Sequence, residues 1–232
     1  MTEHTVKAFD QDIGELRGLV SAMGGRSEAA VIGAMRSLVR GDLEAARNIV
    51  TEDKKIDAME AEVEKLAVRI IALRAPMADD LREVIAALKI AGTIERMGDY
   101  AKNIAKRIPV IEGMRKIEAI ALLPAMGNMV VEMVHDVLDA FAARDAEKAA
   151  DVCNRDKSVD DFYNSIFRAL VTFMMENPQS IGGAAHLLFV AKNLERIGDH
   201  ATNVAEMVYY AATGAYLAER EKGKYEEVAK RA

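Results

Sequence analysis

Glu95 and Asp99 stand four residues apart in ERMGDYAKNIA, residues 95–105, and Glu195 and Asp199 do the same in ERIGDHATNVA, residues 195–205. A second pair precedes each: Asp53 and Asp57 in DKKID, Asp156 and Asp160 in DKSVD. Residues four apart on a helix share a face, so each pair projects to one side. Like charges at that spacing repel by roughly 0.2–0.5 kcal/mol per pair. Gly98 and Gly198, inside the same segments, cost about 1 kcal/mol each relative to alanine. A lone acidic pair is ordinary solvated surface, but here both costs recur in both halves of the chain. Asn103 and Asn203 follow one turn later, and Glu60 and Glu64 extend the acidic edge in the first half. Oxygen ligands on two neighbouring helices suit a hard or borderline cation. Mg²⁺, Ca²⁺, Mn²⁺ and iron all accept carboxylates, and carboxylates bridge adjacent ions.

Other reactive side chains are less organised. Glu132 and His135 form a single ExxH; ferritin-like di-iron bundles need two such copies plus further glutamates, so a surface role is expected. His200 adjoins Asp199 and would add a nitrogen ligand, but Tyr100 holds the matching place in the first copy. His186 lies in the apolar run AAHLLFV and is expected to be packed and hydrogen-bonded, whereas His4 is expected to be exposed. The methionines fall at core periods and read as packing. Cys153 lacks the His and Asp neighbours of a nucleophile. No Walker loop, GxSxG elbow or dinucleotide fingerprint is present.

The elements that must carry these residues are helices. Hydrophobic residues make up 51% of the 232, aromatics only 5%, and Trp is absent, which argues against β-rich and doubly wound folds. Ile49, Ile56, Met59, Val63, Leu66 and Ile70 repeat at helical spacing between about 43 and 74, with Asp42 as N-cap and Pro76 as stop. A third helix is expected from 78 to 107, ending near Pro109. Pro124 opens a fourth, Asp145 caps a fifth that stops at Asn177-Pro178, and a sixth runs from 180 to Thr213-Gly214. The first, about 3–40, is interrupted by Gly24-Gly25, expected to kink or split it. Each helix is expected to span about 28–35 residues, or 40–50 Å.

The chain is an internal repeat. The ERxGD segments are offset by 100 residues, DKKID and DKSVD by 103, and GDLEAA at 41–46 is echoed by RDAEKAA at 144–150. Each half therefore holds three helices in one order, joined by short connections. The expected fold is all-α: two tandem, pseudo-twofold-related three-helix bundles built from six long helices. The first bundle spans 1–115, the second 116–214, and a charged C-terminal tail takes 215–232.

ERIGD followed by AxNxAE, the DKxxD partner, HDVLDAF at 135–141 and the loops RAPMADDLR and MMENPQS resemble the PhoU family over nearly the whole chain. The resemblance implies two three-helix bundles and paired motifs that bind multinuclear iron or zinc clusters in some members. Carried over by position, the metal ligands are Asp53, Asp57, Glu95 and Asp99, then Asp156, Asp160, Glu195 and Asp199. It further implies a negative regulator of the phosphate-starvation response and of phosphate uptake. Such a regulator contacts the ATPase subunit of the phosphate ABC transporter and a sensor histidine kinase, and it is typically a homodimer.

A metal-dependent enzyme, either a carboxylate-bridged oxidase or a phosphohydrolase, is the alternative; the motifs supply ligands but no evident base or nucleophile. The net charge of −6 offers no surplus for displacing counterions from nucleic acid. The N-terminus lacks the pattern of a signal peptide, and no apolar run approaches the ~18–20 residues that span a bilayer. The lone cysteine fits a reducing compartment. A cytoplasmic protein, peripheral to the inner membrane through partners, is the expectation.

Overall fold

The computed structural model describes residues 2–112 and 121–217, the first six as backbone only, and seven α-helices account for nearly all of these described residues. They are α1 (Thr2–Arg40), α2 (Leu43–Arg74), α3 (Asp79–Ala105), α4 (Ile108–Glu112), α5 (Leu123–Ala143), α6 (Ala146–Glu176) and α7 (Ile181–Thr213), with one 3-10 turn at Pro178–Ser180. Six are long, and no strand occurs among the described residues. The fold is all-α. The expected bundle boundary at 115, the tail beyond 217 and the side chain of His4 lie outside the described residues.

The start and stop signals act locally. Asp42 Oδ1 accepts the Ala45 N–H at 2.9 Å, and Asp145 Oδ1 accepts that of Lys148 at 2.9 Å, so equivalent caps open α2 and α6. The residues just before them, Gly41 (φ 66°) and Arg144 (φ 55°), both turn left-handed to leave the preceding helix. Ala75, also left-handed, ends α2 ahead of Pro76 and donates its N–H to the Ile71 carbonyl. Pro109 differs from its expected role as a stop: α3 already ends at Ala105, and Pro109 is the second residue of α4, where its missing N–H costs nothing.

Gly24-Gly25 neither splits nor ends α1, which runs unbroken for 39 residues. The reason for the glycine lies on another helix. A Cβ at Gly24 would overlap the side chain of Leu138 on α5, so the missing side chain admits a close approach.

Helices α1, α2 and α3 pack against one another, as do α5, α6 and α7, giving two three-helix bundles. They are not separate bodies. α3 lies along α7 and α1 along α5, so the four inner helices close a ring around one hydrophobic core. Leu16, Met23, Ile94, Met97, Met126, Met133 and Leu194 are fully buried in it, which gives most methionines their expected packing role. α2 and α6 flank this core on the outside. Among the described residues no helix is long and apolar enough to cross a membrane.

Candidate metal centre

The repeated glycines of the ExxxD helices face the helices that carry the DKxxD pairs. A Cβ on Gly98 of α3 would come within 2.9 Å of Ile56 Cδ1 and 3.8 Å of Asp53 Oδ1, both on α2. A Cβ on Gly198 of α7 would meet Val159 Cγ1 at 3.5 Å and Asp156 Oδ1 at 3.9 Å on α6. Only at Gly98 does the approach of the flanking helix depend on the missing side chain; the α6–α7 spacing at Gly198 would admit a methyl group. Asp53 and Asp156 are buried at these crossings, at 6% and 1% exposure.

In the second half the carboxylates converge. Oxygens of Asp156, Asp160 and Asp199 lie within 4.8 Å of one another, the spacing of ligands around one ion. Glu195 stands beside them and holds Lys192 Nζ at 2.5 Å through Oε1. The repulsion is legible in their acidity. Burial, then Glu195 and Asp160, push Asp199 up to about 6. Burial and Glu195 likewise raise Asp160. Arg196 Nη1 stays 3.8 Å from Asp199 Oδ2, beyond hydrogen-bonding distance. An all-oxygen, partly buried, mutually repelling donor set fits a hard or borderline cation.

The first half is built differently. Lys102 reaches back from α3 and donates to Asp53 Oδ2 at 2.5 Å and to Asp99 Oδ1. Burial alone would lower the ammonium's pKa; the two carboxylates more than offset that and raise it. Asp57 is exposed. Glu95 remains under strain: burial, then Asp99, Glu60, Asp57 and Asp53, push it up to about 7. Glu60 is raised by burial and by Glu64. Glu60 and Glu95 open on a cleft of about 460 Å³ that Lys89, Arg96, Asn203 and Glu206 also line.

The residue that separates the two halves is one the sequence reading passed over. Position 102 in AKNIA corresponds to Thr202 in ATNVA. The Thr202 hydroxyl is neutral and donates to the Asp199 main-chain carbonyl at 2.6 Å. The signal was present as the Lys-to-Thr difference, one of four between the two eleven-residue segments and the one that removes a fixed positive charge. Its meaning depends on reaching Asp53, 49 residues away.

The remaining candidates have other partners. His200 stacks on Tyr100. His135 is exposed, with Nδ1 2.9 Å from Glu28 Oε1, and Glu132 is exposed. Half-buried His186 has Nδ1 3.3 Å from Arg107 Nη1. Cys153 is fully buried, and its thiol donates to the Thr202 carbonyl at 3.8 Å.

Two fused three-helix bundles, each presenting carboxylates from an ExxxD helix and a DKxxD helix, define a class of all-α protein with an acidic patch on each repeat. The PhoU domain model matches residues 20–108 and 123–208, one segment in each half. The chain belongs to the PhoU family. It is 58% identical over 221 residues to the phosphate-specific transport system accessory protein PhoU homolog of Zymomonas mobilis, covering 95% of this chain and 93% of that one. The homolog of the same name from Caulobacter vibrioides is 45% identical over 218 residues, 94% of this chain and 95% of the relative. The crystal structure of PhoU from Pseudomonas aeruginosa superposes with a TM-score of 0.87 at 36% identity, covering 89% of this chain and all of that one. The phosphate transport system regulatory protein PhoU of Streptococcus pneumoniae gives 0.84 at 28% identity, over 90% of this chain and 99% of that one.

Proposed function

We propose that this protein is an accessory regulator of a phosphate-specific transport system, restraining phosphate uptake and the phosphate-starvation response when phosphate is plentiful. The observation that carries the reading is likeness over almost the full length to relatives named as accessory proteins of the phosphate-specific transport system, with both repeats matched. It acts by contact and not by turnover, binding the transporter's ATPase subunit and a phosphate-sensing histidine kinase at the cytoplasmic face of the membrane. The working form is a homodimer. Each protomer comprises bundles 1–115 and 116–214 and the tail 215–232.

Asp156, Asp160 and Asp199, with Glu195 beside them, are the residues that would hold a metal, iron or zinc foremost. The ion would supply positive charge to a repelling acidic face and tie α6 to α7. Mg²⁺, Mn²⁺ and Ca²⁺ satisfy the same oxygen-ligand chemistry.

The test is a pull-down of the ATPase subunit and the kinase by the full chain, paired with deletion of its gene. Capture of both partners, with starvation genes switched on in high phosphate after deletion, is expected. Normal repression in the deletion strain would remove the regulatory role. Metal-dependent turnover of phosphate esters by the purified chain would replace it with an enzymatic one.

A further inference from the structure

We infer that the first acidic patch carries its own cation: the Lys102 ammonium occupies the place between Asp53 and Asp99, so that of the two repeated acidic patches the second is the one that accepts a metal. The inference deepens the metal centre proposed above and rests on that reading for the second half only.

Three observations carry it. Lys102 Nζ bridges two helices, 2.5 Å from Asp53 Oδ2 on α2 and hydrogen-bonded to Asp99 Oδ1 on its own helix. The Lys102–Asp53 arm of the bridge is sheltered, with side-chain exposure of 20% and 6%, while Asp99 is 43% exposed. The equivalent position in the second repeat holds Thr202, a neutral group whose hydroxyl is turned to a main-chain carbonyl. Formal charge then differs at the position that matters. Asp53, Asp57, Glu95 and Asp99 with Lys102 sum to −3, whereas Asp156, Asp160, Glu195 and Asp199 with Thr202 sum to −4, and it is Asp156, Asp160 and Asp199 whose oxygens converge.

A dication entering the first patch must expel the ammonium or sit beside it. Expulsion strips Lys102 of two charge-assisted hydrogen bonds. Sitting beside it places like charges together where little water screens them. Thr202 brings no such ammonium; the cations beside the second patch are Lys192, held by Glu195, and Arg196, whose Nη1 stays 3.8 Å from Asp199 Oδ2. The ammonium does in the first bundle what an ion does in the second, joining the DKxxD helix to the ExxxD helix without depending on metal supply.

The experiment uses the full chain stripped with EDTA, dialysed to equilibrium against Zn²⁺ and counted by elemental analysis, with melting temperatures recorded in EDTA and in Zn²⁺. Wild type should lose its bound zinc in the Asp156→Asn, Asp199→Asn double variant. Lys102→Thr should gain a second zinc-binding patch, and adding Asp53→Asn should abolish the gain. In EDTA, Lys102→Thr should melt several degrees lower than wild type, with the loss reversed by Zn²⁺ or by Asp53→Asn, because a buried carboxylate is otherwise left without its cation. Equal zinc content in wild type and Lys102→Thr would overturn the inference, as would zinc that survives the double variant but is lost on Asp99→Asn. Zinc on Lys102→Thr with none on wild type would uphold the lock and defeat the second-half metal centre instead.

Discussion

The rings of Tyr100 and His200 stack with centroids 5.5 Å apart and planes 20° from parallel. The two residues hold the same place in the two repeats, directly after the ERxGD aspartate, so the repeat meets its own copy where α3 lies along α7. The contact accounts for His200 beside a candidate ligand without making it one. The imidazole is held between the halves.

His200 should titrate below its ordinary range, because burial, Arg96 and Arg196 all disfavour the imidazolium. A histidine depressed in the folded state binds fewer protons there than in the unfolded chain. Its stabilisation is therefore present above the unfolded value of about 6.5 and is lost as pH falls through the folded one. His200→Phe keeps the stack and should flatten the fall in melting temperature below pH 6.5. An unchanged slope would show that the acid sensitivity lies elsewhere.

Glu95→Gln should stabilise the metal-free protein at pH 8 and do little at pH 4. Its pKa is pushed up to about 7 in the fold, so the penalty of ionising it grows as pH rises from the unfolded value of about 4.5 and is complete above 7. After allowance for solvent screening the gain is about 1 kcal/mol, a rise of roughly 2–4 °C for a chain of this size. Denaturant melts in EDTA at the two pH values measure it.

The two motif glycines should answer differently to alanine. At Gly198 the added methyl meets ordinary contacts of 3.5 Å or more, so relief of the helix cost, up to about 1 kcal/mol, is available. At Gly98 it would crowd Ile56 Cδ1 at 2.9 Å, and strain of about 1 kcal/mol or more offsets the gain. Gly98→Ala combined with Ile56→Val removes the crowding atom and should recover part of the loss. Equal melting shifts for the two single variants would refute the difference in packing.

Gly24 and Gly25 form a second such contrast. A side chain at Gly24 overlaps Leu138, whereas nothing lies within 4 Å of a Cβ at Gly25. Gly25→Ala should stabilise by up to about 1 kcal/mol, and Gly24→Val should destabilise by about 1–3 kcal/mol through overpacking at the α1–α5 crossing. Chemical denaturation of the two variants decides it.

The sequence alone determined what depends on neighbours within a few residues. The helical period and the caps at Asp42 and Asp145 are local, and they appear where their residue types predict. The repeat was legible because both copies keep the four-residue spacing within each acidic motif and the same order of motifs, and with it the three-helix order. Tertiary structure alone decided what depends on distance across the core. Gly24-Gly25 reads as a break because glycine is costly within a helix; only the arrival of Leu138 from α5 turns that cost into a packing contact. Lys102 reads as an exposed helical lysine until α2 brings Asp53 to 2.5 Å from its ammonium. A charge takes its meaning from the oxygens around it, and those oxygens belong to a helix that the linear order keeps 49 residues away.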